Sequence, residues 1–80
     1  MDMRFGKNIT IDPKIMVGKP IIKGTRIPVE LIVRMVGQGI SEKKILKEYP
    51  RLKPEDIRAA LSYAASVLAN EDIFPFDIPA

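Results

Sequence analysis

The sequence has no cysteine and no histidine among its 80 residues. Without cysteine there is no disulfide framework, no thiolate nucleophile and no cysteine-ligated metal. Without histidine, the usual general base and the commonest transition-metal ligand are also missing. The sequence has no glycine-rich phosphate loop and no group of acids at metal-ligand spacing, so we expect neither enzymatic activity nor a cofactor.

Long apolar runs are missing as well. No stretch approaches eighteen consecutive apolar residues, and the N-terminal residues form no apolar signal segment, so we expect a cytoplasmic protein without membrane association. Eighty residues make one small domain, which buries only about 60% of the surface of its unfolded chain. Such a domain is marginally stable alone, and this favours a partner chain.

The charges are unevenly distributed along the chain. Residues 1–53 hold twelve Lys and Arg against five acids, a net charge of +7, whereas residues 54–80 hold one Arg against five acids, a net charge of −4. A basic body with an acidic end suits nucleic acid, an acidic protein surface or self-association. Charge alone does not decide among these partners.

Turn and cap residues predict a short β layer followed by three helices. Residues 8–11 alternate apolar and polar side chains, and we expect this strand to pair antiparallel with residues 26–28. A single helical turn is predicted at residues 13–16. Glycine, serine and proline signals bound the three helices, which are predicted at residues 29–38, 42–49 and 54–69.

The third helix has an apolar stripe that we expect to face the core. The stripe consists of Ile57, Leu61, Ala64 and Leu68. Helix two, a four-residue turn and the longer helix three match the outline of a helix-turn-helix unit. The residues therefore predict a mainly α domain over residues 1–69, with an extended C-terminal tail over residues 70–80.

Two long stretches resemble a known family. GKPIIKGTRIPVELI, at residues 18–32, and GISEKKILKEYPRLKPEDIRAALSYA, at residues 39–64, are similar to the prokaryotic family called domain of unknown function 433, or DUF433. The resemblance implies a homeodomain-like, three-helix, helix-turn-helix fold with a short N-terminal antiparallel β-hairpin. It also implies an antitoxin-like role, since members are often encoded beside a toxin with a PIN-like nuclease fold. It transfers no catalytic residue.

Cationic side chains are the candidates for contact with DNA phosphates. They are Lys19, Lys23, Arg26, Lys43, Lys44, Lys47, Arg51, Lys53 and Arg58. Helix three itself is a poor reader of bases, because Glu55 and Asp56 at its start repel phosphates and only Arg58 could read a base. The alternative is that these charges form ordinary solvated surfaces.

Small and apolar side chains are the candidates for a protein interface. On helix three they are Ala59, Ser62, Tyr63, Ser66 and Val67, and in the tail they are Ile73, Phe74, Phe76 and Ile78. Alternation with two prolines lets the tail add to a sheet edge on one side only. Alternatively, Tyr63 and Val67 cover the domain's own first helix, and the tail folds back over its own core.

Together these features predict an antitoxin-like homodimer that neutralises a PIN-like nuclease toxin by protein contacts, with double-stranded DNA as a further candidate ligand. The alternative is a protein-interaction or dimerisation module with no role in DNA binding. The DNA part depends mainly on fold analogy, whereas the tail and the surface of helix three favour protein contact.

Overall fold

A two-stranded sheet precedes three helices in the computed structural model, which describes residues 8–69. The elements are β1 (Ile9–Ile11), a 3₁₀ turn (Met16–Gly18), β2 (Pro20–Ile22), α1 (Val29–Gly37), α2 (Glu42–Glu48) and α3 (Pro54–Ala69). This arrangement confirms a mainly α domain of three helices with a short antiparallel sheet at its N-terminal side. Within residues 8–69, no helix combines the length and the apolar character that crossing a bilayer requires.

The partner of β1 differs from the sequence prediction. β1 pairs antiparallel with β2, with Ile9 opposite Ile22 and Ile11 opposite Pro20, so the predicted pairing with residues 26–28 is wrong. Residues 26–28 instead approach the other side of β2, where the Ile22 N–H donates to the Ile27 carbonyl at 3.0 Å and Pro28 forms an isolated bridge. Pro20 is the first residue of β2, a position at which a strand tolerates proline.

The connection between β1 and β2 contains two consecutive turns. The Lys14 N–H donates to Asp12 Oδ1 at 2.9 Å, and the Ile15 N–H donates to the Asp12 carbonyl at 2.9 Å. The Ile15 bond closes a single turn over residues 12–15, within one residue of the turn predicted at residues 13–16, and a separate 3₁₀ turn follows at Met16–Gly18. Left-handed backbone at three successive residues, residues 16–18, then directs the chain back along β1.

Isoleucine dominates the core, which joins the sheet to all three helices. The largest side chains at 0–1% exposure are Ile9, Ile21, Ile22, Ile32 and Ile45, and Val29, Met35, Leu52, Ile57 and Ala60 complete the core. Burying one such isoleucine stabilises the fold by about 1.5–3 kcal/mol. Since both strands and all three helices contribute at least one of these side chains, the core fixes their positions relative to one another.

The buried face of α3 is rotated from the predicted one. Ile57 is buried as predicted, and Ala60 is fully buried. Leu61 and Leu68, however, are 37% and 84% exposed, so their predicted inward orientation is wrong. Tyr63 packs against the core instead. The spacing of apolar residues along α3 does not reveal how much of the helix the rest of the domain covers. The rest of the domain covers the second half of α3 less than the first half.

The ends of α1 and α2 follow the local sequence signals. After α1, Gly39 has a φ of +84°, and the Ile40 N–H donates to the Met35 carbonyl at 3.1 Å, which is the Schellman pattern of a glycine-terminated helix. Ser41 then caps α2, where its Oγ accepts from the Lys44 N–H at 3.2 Å. Both the predicted stop at Gly39 and the predicted cap at Ser41 are confirmed.

Two neighbouring glycines should respond oppositely to the same substitution. Gly39→Ala forces an alanine into left-handed backbone and should lower the free energy of unfolding by about 1–2 kcal/mol. Gly37→Ala should raise it by about 0.5–1 kcal/mol, because Gly37 is helical and its added Cβ would meet open space. Urea denaturation followed by circular dichroism measures both changes. A change of the same sign in the two variants would contradict this description of the helix end.

Candidate interaction surfaces

The predicted DNA-contacting cations do not form one surface. Lys19 lies beside α1, where its Nζ is 3.4 Å from Glu30 Oε1, and Arg34 contacts the other oxygen of Glu30 at 3.6 Å. These exposed ion pairs contribute at most about 1 kcal/mol, but they engage Lys19 with a neighbouring carboxylate. Lys19 is therefore already paired with a carboxylate, and we consider it apart from the other candidate cations.

Three of the candidate cations surround one polar depression, which we call the basic cleft. Lys23 comes from the turn after β2, and Arg51 and Lys53 come from the connection between α2 and α3. The basic cleft has a volume of about 270 Å³, and its remaining lining is Asn8, Gly24, Thr25, Glu55 and Asp56. The sequence identified the three cations but gave no sign that the fold brings them together.

The wall of the basic cleft formed by the β2 turn is fixed by backbone hydrogen bonds. The Lys23 N–H donates to the Asn8 carbonyl at 2.7 Å. The buried Thr25 hydroxyl donates to the Ile22 carbonyl at 2.7 Å and accepts from the Ile27 N–H at 3.0 Å. Thr25 thus closes the turn through its side chain, and Lys23 is held on a rigid backbone.

A buried carboxylate fixes the opposite wall. Asp56, 7% exposed, accepts from Asn8 Nδ2 at 2.8 Å through Oδ1 and from the Lys53 N–H at 2.9 Å through Oδ2. The second bond is the half of a capping box that reaches back from the first turn of a helix. Lys53 has no capping side chain, so the bond to Asp56 is the one half of the capping box that forms at the start of α3.

This role of Asp56 was not predicted from the sequence, which indicated only that its negative charge at the start of α3 repels phosphates. The sequence did contain a signal for this role. It was an acid three residues after a helix start that has no capping side chain. The link to Asn8, 48 positions earlier in the chain, had no local signal.

The α2 lysines form a separate basic surface. Lys43, Lys44 and Lys47 line an open depression of about 530 Å³ together with Ser41 and Glu48. Arg26 and Arg58 are exposed, and neither lines this depression or the basic cleft. The nine predicted cations are thus divided among the basic cleft, the α2 surface and isolated positions.

An apolar groove runs between α1 and the second half of α3. Its apolar lining is Pro20, Val29, Val33, Tyr63, Ala64, Val67 and Leu68, and Glu30 and Arg34 complete its lining. The groove has a volume of about 540 Å³. Val67 is 51% exposed and Leu68 is 84% exposed, so large apolar side chains face solvent there.

The predicted protein-interface residues are only partly brought together. Tyr63 and Val67 line the apolar groove, but Tyr63 and Ala59 also pack against the domain's own core. Ser62 is exposed and Ser66 is half-buried, and neither lines the groove. The four tail candidates, Ile73, Phe74, Phe76 and Ile78, lie outside the described residues. Val33 of α1 and Leu68 of α3 were missed, Leu68 because the predicted stripe placed it in the core.

A search for metal ligands adds no further site. Within residues 8–69, no group of three or more acidic, histidine or cysteine side chains is arranged to hold a metal ion. The basic cleft and the α2 surface can bind anions through their cations. The apolar groove can bind apolar segments through its exposed aliphatic side chains.

Comparison with known proteins gives a family without an assigned role. The family model described as "Protein of unknown function (DUF433)" matches residues 9–64. A DUF433 member from Anabaena variabilis has a similar crystal structure, with a TM-score of 0.70 and 37% identity, covering 85% of this chain and 65% of that one.

Two uncharacterized proteins are also similar in sequence. Protein y4eO of Sinorhizobium fredii is 39% identical over 56 residues, which are 70% of this chain and 25% of that protein. An Archaeoglobus fulgidus protein is 59% identical over 29 residues, which are 36% of this chain and 81% of that protein. This chain therefore matches only a quarter of the length of the Sinorhizobium protein.

Replacing the buried carboxylate should destabilise the domain. Asp56→Ala removes the acceptor for Asn8 and for the Lys53 N–H, and should lower the free energy of unfolding by about 2–3 kcal/mol. The control Glu55→Ala removes an adjacent but exposed acid and should cost less than about 1 kcal/mol. Chemical denaturation compares the two. Equal losses would mean that the helix dipole, and not the buried hydrogen bonds, accounts for the effect.

Proposed function

The chain belongs to the DUF433 family of proteins of unknown function, and from that premise we propose that it is an antitoxin-like protein whose apolar groove captures a PIN-like nuclease toxin. The exposed lining of the apolar groove is the observation that carries this proposal. Leu68 and Val67 lie next to each other on α3, and they are 84% and 51% exposed beside Val33 of α1. Contiguous exposed apolar side chains with polar neighbours are typical of interaction sites.

The charges beside the groove indicate the chemistry of the partner. Lys19 and Arg34 share the single carboxylate of Glu30, so this side of the groove carries one excess positive charge. An apolar toxin segment flanked by an acid would satisfy both features. A helix with apolar anchors every three or four residues is a common way to occupy such a groove.

The proposal extends to a homodimer and to double-stranded DNA as a second ligand. Dimerisation would double the number of cations that face one duplex, and phosphate contacts strengthen with that number. The alternative function, a protein-interaction module without DNA binding, uses the same groove. The two proposed functions differ only in whether the cations bind DNA, so DNA binding and toxin capture can be tested separately.

Capture should depend on Leu68 and not on the charge added by a test substitution. The tagged chain is co-expressed with the nuclease encoded beside its gene and purified by its tag. Leu68→Glu should weaken capture at least about tenfold, since burying a leucine contributes about 1.5–3 kcal/mol. Ala65→Glu adds the same charge to an exposed position of α3 that does not line the groove and should leave capture unchanged.

Light scattering of the same variants distinguishes the toxin from a second copy of this chain. If Leu68→Glu retained the nuclease but converted a dimer into a monomer, the groove would be the dimer interface and the toxin proposal would be wrong. Equal loss of capture in both glutamate variants would also contradict it. Circular dichroism verifies that each variant keeps its helices.

A further inference from the structure

Three cations from separate parts of the chain meet at the basic cleft. Lys23 is separated from Arg51 by the whole of α1 and α2, and Lys53 lies at the start of α3. The cleft volume of about 270 Å³ equals roughly nine times the share of one water in the liquid. A tetrahedral phosphate group therefore fits among these side chains together with several waters.

The cations of the basic cleft are available for a ligand. Among residues 8–69, the ion pairs within 4 Å are those of Glu30 with Lys19 and with Arg34, so Lys23, Arg51 and Lys53 take no part in one. The buried Asp56 carboxylate lies close by, but its two oxygens accept from the Asn8 amide and a backbone N–H. The positive charge in the cleft is thus not neutralised by short contacts with carboxylates.

The backbone that carries these cations is already ordered. Lys23 lies on the turn closed by the Thr25 hydroxyl, and Lys53 lies on the backbone that donates to Asp56. Ordering the backbone in advance lowers the entropy lost when a ligand binds. The α2 lysines differ, since all three come from one short helix and face an open depression.

We propose that the basic cleft is a phosphate-binding site that receives a backbone phosphate of double-stranded DNA. Lys23, Arg51 and Lys53 contact the phosphate oxygens, and Arg51 can do so through two parallel N–H groups. Glu55, which also lines the cleft, weakens the attraction by its negative charge. This inference depends on the DNA part of the proposed function and is independent of toxin capture.

The test compares two triple variants that each remove three positive charges. One is Lys23→Gln, Arg51→Gln and Lys53→Gln in the cleft, and the control is Lys43→Gln, Lys44→Gln and Lys47→Gln on α2. Binding to a short fluorescent duplex is followed by anisotropy from low to physiological salt. The cleft variant should bind at least about tenfold more weakly and reduce the salt slope by about 1. The control should lose less, because charges outside the contact are screened within about 8 Å at physiological salt.

A third variant should bind more tightly. Glu55→Gln removes one of the two opposing charges in the lining of the cleft and should raise the affinity about threefold at low salt, where screening is weakest. Misfolding would not produce such a gain. Unchanged or weaker binding by Glu55→Gln would contradict a phosphate at this position.

The remaining outcomes test separately whether the basic cleft is the binding site and whether DNA is its ligand. Equal weakening by the two triple variants would show diffuse attraction by net charge and overturn the cleft assignment. Absence of binding by the unmodified chain at low salt would overturn the assignment together with the DNA part of the proposed function. Toxin capture, measured by co-purification, should be the same in all these variants, so its failure would concern only the apolar groove.

Discussion

The buried carboxylate of Asp56 is the constraint on which the basic cleft depends. It joins Asn8, directly before β1, to the backbone at the start of α3, so the sheet and the last helix are held in one relative position. A carboxylate that is removed from water is stable only with hydrogen-bond donors, and both of its oxygens have one. The same link brings Lys53 close to the turn that carries Lys23 and thereby forms the basic cleft.

The length of α3 separates the two surfaces. Its sixteen residues span about 24 Å. The first turns are buried against the core through Ile57 and Ala60, whereas Val67 and Leu68 near its end remain exposed and line the apolar groove. The basic cleft and the apolar groove thus lie towards opposite ends of one rigid helix.

Local signals made the helices predictable from the sequence, and long-range contacts made the surfaces unpredictable. Gly39 and Ser41 bound their helices through interactions with residues within five positions, and α3 begins at Pro54. The strand partner depended instead on the turn over residues 12–18, which reverses the chain before Pro20. The rotation of α3 depended on which part of the helix meets the core. The candidate cations were identifiable by residue type, but their convergence required the fold.

The central claim is that the apolar groove captures the partner protein while the basic cleft makes no contact with that protein. Amide hydrogen exchange tests this claim most directly. Exchange is measured for this chain alone and bound to the co-expressed nuclease. The account predicts slower exchange in the second half of α3 and along α1, with exchange in α2 and in the turn after β2 unchanged. Slower exchange confined to α2 or to the basic cleft would contradict it.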